Sequence, residues 1–179
     1  MSYYDVDAIL TDAQKLPCTF EIEVPGLGYL DGNAGQNVKA GSHIELPLWL
    51  GEMLAVPSRP GADPVVTIDL PKALSDPVIN ALKADPRFVD IRAQAPHFYR
   101  LAVRILALME ADEIDDVLIE TMKKRAIEIF NHAHNPRGAL GEGVEFLRGL
   151  DETERQLFRA AHDSSKSVKA WAGQVKKTS

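Results

Sequence analysis

Between Val56 and Pro64 the sequence VPSRPGADP places three prolines and a glycine in nine residues. Proline fixes φ and lacks a backbone donor, so neither a helix nor a central strand can run through such a segment. The hydrophobic period differs on its two sides. Upstream, Pro17 to Val24 alternates strictly, with Cys18, Phe20, Ile22 and Val24 apolar and Thr19, Glu21 and Glu23 polar, which is the period-two signature of a half-buried strand. Downstream of Pro71 apolar residues recur every three to four positions, the period of an amphipathic helix. A chain divided in this way has to build two kinds of structure. The expected fold class is α+β: a small β-rich domain over residues 1–60, a linker or extended connector over 61–70, and a helical domain of about five helices over 71–179. Val65 to Leu70 reads either as one last strand or as part of the connector.

Within the first domain, Pro25-Gly26 signals a tight turn and Asp31-Gly32 a hairpin after the short apolar run Leu27, Tyr29, Leu30. Two or three antiparallel strands follow from these signals. Asn33 to Gly41 is polar and turn-rich, a loop before a strand at Ser42 to Leu46. The run LPLWLGEMLA (Leu46 to Ala55) has proline at its start and dense large apolar residues, so it reads as a short buried helix. Trp49 and Leu50 are expected to anchor that helix to the sheet, the alternative being that Trp49 stands at an interface.

Caps and prolines divide the second domain into helices over Lys72–Ala84, restarted near Asp76-Pro77, then Pro96 to about Glu110, Asp112–Asn135, Glu142–Leu150, and a last helix opened by the Asp151-x-x-Glu154 capping-box spacing. The helix after Pro96 has two apolar rows. Phe98, Leu101, Ala102, Ile105, Leu108 and Met109 form one, and Tyr99, Val103 and Leu106 form another, leaving Arg100 and Arg104 as its polar surface. A helix apolar nearly all round is covered on more than one side. Its cover is either partner chains or the rest of a monomeric bundle, and Phe98, Tyr99, Val103, Leu106 and Trp49 are the suspected interface or packing residues.

Charge and motifs narrow the function classes. The net charge is −6, with 10 acidic and 3 basic residues in the first 70 positions against 16 and 17 in the remainder, a balance opposed to gripping a nucleic-acid backbone. Only the end is locally basic: Lys166, Lys169, Lys176 and Lys177 follow Asp163 with no further acid, either a solvated helix end or a phosphate contact. The single cysteine, Cys18, forbids an internal disulfide framework, and its inward strand position beside acidic neighbours argues against a reactive thiolate. His132 and His134 are two apart, which is not ligand spacing on a helix, and His43, His97 and His162 have no ligand partner in sequence. Gly26, Gly28 and Gly32 miss the dinucleotide spacing and lead into a turn; Gly138, Gly141 and Gly143 lack the residues of a phosphate loop. No apolar run approaches the roughly 20 residues of a membrane span and the N-terminus is acidic, so cytoplasm or nucleus is expected. No catalytic, cofactor or metal residues are assigned; the surviving class is a scaffold or interaction protein.

Five ordered strings carry a more specific likeness: YYDVDAILTDAQKLPCTFEIEVPGLGYLD, GSHIELPLWLGEML, VTIDLPKAL, ADPRFVDIRAQAPHFYRLAVRIL and LDETERQLF, spanning Tyr3 to Phe158. In them the chain resembles the Psf-three subunit family of the eukaryotic GINS complex. The resemblance implies a small β-rich B domain and a helical A domain, with the B domain first. It implies a nuclear heterotetramer with Sld-five, Psf-one and Psf-two subunits, which joins the Mcm ring and Cdc45 as the replicative helicase and helps recruit the leading-strand DNA polymerase. It brings no catalytic residue and no cofactor. The alternative is a stand-alone nucleic-acid-binding adaptor using the tail lysines with Phe98 and Tyr99.

Overall fold

The computed structural model describes residues 4–57, 63–109, 112–135 and 142–178. The chain separates into two compact units, Met1–Ser75 and Asp76–Ser179. Residues 58–62 of the proline-rich segment, including Arg59, lie outside the described residues, as do Glu110 and the glycines at 138 and 141.

The first unit opens with a helix that hydrophobic period alone does not reveal, α1 (Val6–Asp12). Asp5 caps it, its Oδ1 accepting from the backbone N–H groups of Asp7 and Ala8 at 3.1 and 3.3 Å. Strand β1 (Lys15–Phe20) lies centrally between β2 (His43–Pro47) and β3 (Val66–Ile68), antiparallel to both. Val66–Ile68 is therefore a strand of the sheet. Leu16, Cys18, Phe20, Ile44, Leu46, Val66 and Ile68 form its buried face.

Two expectations for this unit are corrected. The alternation through Val24 outlasts the strand: β1 ends at Phe20, Ile22 is exposed, and Val24 meets the chain again only in an isolated bridge to Val38. The neighbouring chains have run out by then, since Phe20 N–H donates to Ser42 O and Glu21 N–H to Val65 O as the last rungs. The hairpin after Pro25-Gly26 does not form. Gly28–Asp31 is a 3-10 turn capped by Gly32 in the left-handed region at φ 74°, and a Cβ at Gly28 would run into the carbonyls of Asn33 and Gln36. The partner of β1 comes 23 or more residues later, at His43, across a long excursion.

Helix α2 (Leu48–Ala55) follows β2 directly, with Pro47 as its N-terminal cap residue. It sits on the sheet through Leu48, fully buried, and Gly51, where an added Cβ would lie 3.3 Å from Cys18 Sγ. The anchor is therefore this pair, not the expected Trp49 and Leu50, of which Trp49 is 50% exposed and Leu50 half-buried. Burial pushes the Cys18 thiol up to about 11, so it is a packing group at neutral pH.

The second unit contains α3 (Asp76–Ala84), α4 (Ile91–Gln94), α5 (Phe98–Leu106), α6 (Asp112–His134), α7 (Glu142–Arg148) and α8 (Glu152–Thr178). That is one helix more than expected, because the single turn α4 stands before Pro96, capped by the Asp90 side chain accepting from Ala93 N–H at 2.9 Å. A 3-10 turn, Pro86–Phe88, ends α3. Its Asp85 accepts from the Arg87 side chain at 3.0 and 2.8 Å, which holds the carboxyl down at about 2. The buried core comprises Ile79, Leu82, Ile91, Phe98, Leu101, Ile105, Leu118, Ile129 and Leu150.

Candidate protein interface and the ion pair behind it

Helix α5 is shorter than expected, Phe98–Leu106 instead of Pro96 to about Glu110, so Leu108 and Met109 of the expected inner row lie past its end, Leu108 exposed and Met109 half-buried. Phe98, Leu101, Ala102 and Ile105 are buried in the unit. On the other row Val103 is 67% exposed, while Tyr99 and Leu106 are half-buried. Phe98 thus packs inside, and Tyr99, Val103 and Leu106 line the face left open. Trp49 belongs to the first unit and this row to the second.

Behind α5 lies a polar cluster that sequence reading missed. Arg125, in the middle of α6, and Glu154, in the first turn of α8, are both fully buried and paired, with Nε to Oε1 at 2.6 Å and Nη2 to Oε2 at 2.9 Å. The remaining guanidinium donors reach backbone carbonyls: Nη1 to Pro86 and Val89 at 2.7 and 3.0 Å, Nη2 to Gly149 at 3.5 Å. All five donors of Arg125 are therefore used, as burial of a guanidinium requires. The Phe146 ring closes over it, with Cζ 4.8 Å from the ring centroid.

Glu154 has a second duty. The expected capping box is present: Asp151 Oδ1 accepts from Glu154 N–H at 2.8 Å, and Glu154 Oε2 accepts from Asp151 N–H at 3.2 Å. The box extends to α5, because Tyr99 N–H donates to Asp151 Oδ2 at 3.3 Å and Tyr99 hydroxyl to Glu154 Oε1 at 3.1 Å. One cluster thus fixes the start of α5, the start of α8, the middle of α6 and the turn after α3. It orients the Tyr99–Val103–Leu106 row. Burial and the neighbouring Glu154 charge raise Asp151 to about 6, and burial also drives the Tyr99 phenol well above its usual range. The signal for Arg125 is present in the sequence as a cation on the buried row of α6 between Leu118 and Ile129, a position that demands a buried counter-charge.

The histidines do not converge. Among the described residues no group of three or more His, Cys, Asp or Glu side chains could hold a metal ion. His43 Nδ1 lies 2.8 Å from Thr19 Oγ1 on the outer sheet face, and His134 Nδ1 lies 2.8 Å from the Phe130 carbonyl. Among the described residues no helix is long and apolar enough to cross a membrane.

Fold and site together define an α+β protein that joins a three-stranded sheet unit to a helical-bundle unit with an uncovered apolar helix row. Residues 4–56 match the family model described as the PSF3 N-terminal domain, and residues 73–173 match the GINS complex protein helical bundle domain. The chain is 68% identical to the DNA replication complex GINS protein psf3 of Aspergillus fumigatus over 99% of each chain, and 62% identical to PSF3 of Phaeosphaeria nodorum over 98% of each. It is 39% identical to psf3 of Schizosaccharomyces pombe over 96% of this chain and 97% of that one. The chain belongs to the PSF3 family of DNA replication complex GINS proteins.

Proposed function

We propose that this chain is a non-catalytic scaffold subunit of a nuclear, four-chain GINS assembly in DNA replication. Its partners are Sld-five, Psf-one and Psf-two type subunits. The assembled complex serves the Mcm ring and Cdc45 as part of the replicative helicase and supports recruitment of the leading-strand polymerase. The sheet unit, Met1–Ser75, corresponds to the B domain and the helical unit, Asp76–Ser179, to the A domain; the expected connector 61–70 includes Val66–Ile68, which is a strand of the sheet unit.

The observation that supports this reading is the division of α5. Its inner row is buried within the unit, while Val103 stands 67% exposed between half-buried Tyr99 and Leu106. An apolar row held rigid by a buried cluster and left open is suited to a partner helix. Trp49, half exposed on the other unit, is assigned to a second contact.

The test is co-expression of Val103→Glu with the three partner types, read by size-exclusion mass measurement. The four-chain species should be lost while the variant's own melting temperature stays within about 4 °C of wild type, as expected for an exposed position. An intact four-chain species with this variant would remove α5 from the interface.

A further inference from the structure

Helices α3 and α6 and the turn after α3 enclose a cleft of about 230 Å³. Burial orders its lining. Leu82, Pro86 and Thr121 are buried and form its floor, Val117 is half-buried on its wall, and the charged residues Lys83, Asp116, Glu120 and Lys124 stand exposed at its rim. The α6 members follow one another at helical spacing along one face, which is why a single neighbouring helix and its turn complete the cleft.

Thr121 is the exception on this floor. It is 1% exposed, and its Oγ1 has no hydrogen-bond partner. A serine or threonine inside a helix commonly turns its hydroxyl back to the carbonyl four residues earlier. In this chain Thr11 does so to Asp7 at 2.7 Å and Ser167 to Asp163 at 2.9 Å. Thr121 makes no such bond to the Val117 carbonyl. A buried hydroxyl left without a bond destabilises the chain that carries it. Shielded from bulk water, it can be paired only by a group seated on the floor of the cleft.

We infer that this cleft is a binding site for a tyrosine side chain of a partner protein, with its ring between Leu82 and Val117 and its phenol hydroxyl bonded to Thr121 Oγ1. The volume limits the occupant to one side chain, since drug-sized ligands occupy pockets of about 300–1,000 Å³. The apolar lining requires an apolar body, and the orphaned hydroxyl requires one neutral hydrogen-bonding tip. Leucine or phenylalanine would leave Thr121 unpaired, and a lysine or glutamate tip would be buried without a counter-charge. Tyrosine combines the two, with its hydroxyl at the far end of the ring. The rim favours a phenol carried on a peptide over a free one. Its two lysines and two carboxylates can meet the backbone and neighbouring residues of a tyrosine within a chain, and a free phenol offers them nothing. Phe88, 83% exposed and two residues beyond Pro86, extends the surface on which that chain would lie. This goes beyond the assembly reading and uses none of the α5 row.

The test titrates the full chain, methyl-labelled, with p-cresol, toluene, N-acetyltyrosinamide and N-acetylphenylalaninamide, and follows the Leu82, Val117 and Thr121 methyl resonances by NMR. Each phenol should shift those methyls and bind about five- to ten-fold more tightly than its counterpart lacking the hydroxyl, the worth of one hydrogen bond. Thr121→Val should bring each pair to within about two-fold while melting at or above wild type, because an orphaned hydroxyl is removed. Thr121→Ser should keep the preference. Binding of neither phenol, equal binding of the phenols and their counterparts, or a preference that survives Thr121→Val overturns the inference. So does a Thr121→Val variant that melts below wild type, which means that the hydroxyl is already bonded in the free chain. Binding of p-cresol without N-acetyltyrosinamide overturns the assignment to a tyrosine side chain in favour of a free phenol.

Discussion

Replacing Arg125 by methionine removes the hub of the cluster behind α5 without changing its volume greatly. Glu154 is then left fully buried without its counter-charge, losing bonds of 2.6 and 2.9 Å, and the carbonyls of Pro86 and Val89 lose their donor. Breaking one side of a buried pair costs about 3–5 kcal/mol. The whole stability of a domain is about 5–15 kcal/mol. For a unit of this size each kcal/mol moves the midpoint by about 4–8 °C, so a drop of about 12–40 °C is expected in a thermal melt followed by circular dichroism. Removing both charges in Arg125→Met with Glu154→Leu is often nearly neutral at a buried pair. Here it should not be. The Pro86 and Val89 carbonyls, the Asp151 N–H and the Tyr99 hydroxyl all bond to the pair, and each orphaned group costs about 1–3 kcal/mol. The double variant should therefore stay about 3–4 kcal/mol or more below wild type. A double variant within about 1 kcal/mol of wild type would show that the pair acts alone, and a single variant melting near wild type would show that the pair is not dry.

Asp151, raised to about 6 in the folded chain against about 3.9 unfolded, binds its proton more tightly when folded; its contribution to stability is complete below about pH 4 and lost as pH rises through about 6, on the order of 3 kcal/mol in all. Asp151→Asn should flatten that window, and denaturant titrations of both proteins from pH 4 to 7 should show wild type falling relative to the variant; a flat difference contradicts the assignment. Ile105→Asp buries an unpaired carboxylate at a fully buried position and should unfold the helical unit, with loss of the cooperative melt as the readout. Trp49→Ala, at a half-exposed site, should cost less than the 3–5 kcal/mol of a buried tryptophan, about 2 kcal/mol at most, while weakening co-purification with partners. A loss of 4 kcal/mol or more would place Trp49 in the core.

What could be read directly from the sequence was local. Period two marked β1 and period 3.6 marked the helices because side-chain direction repeats with the backbone itself. Asp151 and Glu154 announced their capping box because the two partners stand three residues apart on one turn. The double row on α5 was visible for the same reason, and its inner members Phe98, Leu101, Ala102 and Ile105 are buried, whereas Leu108 and Met109 continue the period past the end of the helix and are not. The end of β1 was not readable, since Ile22 and Val24 continue the alternation; the strand stops where its neighbours at Ser42 and Val65 give the last rungs. Trp49 and Leu48 look alike in a hydrophobic run, and only the direction of α2 on the sheet puts Leu48 in the core and Trp49 at the surface. Arg125 shows the limit most clearly. Its partner is 29 residues away on another helix, and its other acceptors lie in turns that no period describes. Local propensity and periodicity decide which elements form, but the energy of a buried charge depends on groups brought to it from distant parts of the chain, and that placement exists only once the helices have packed.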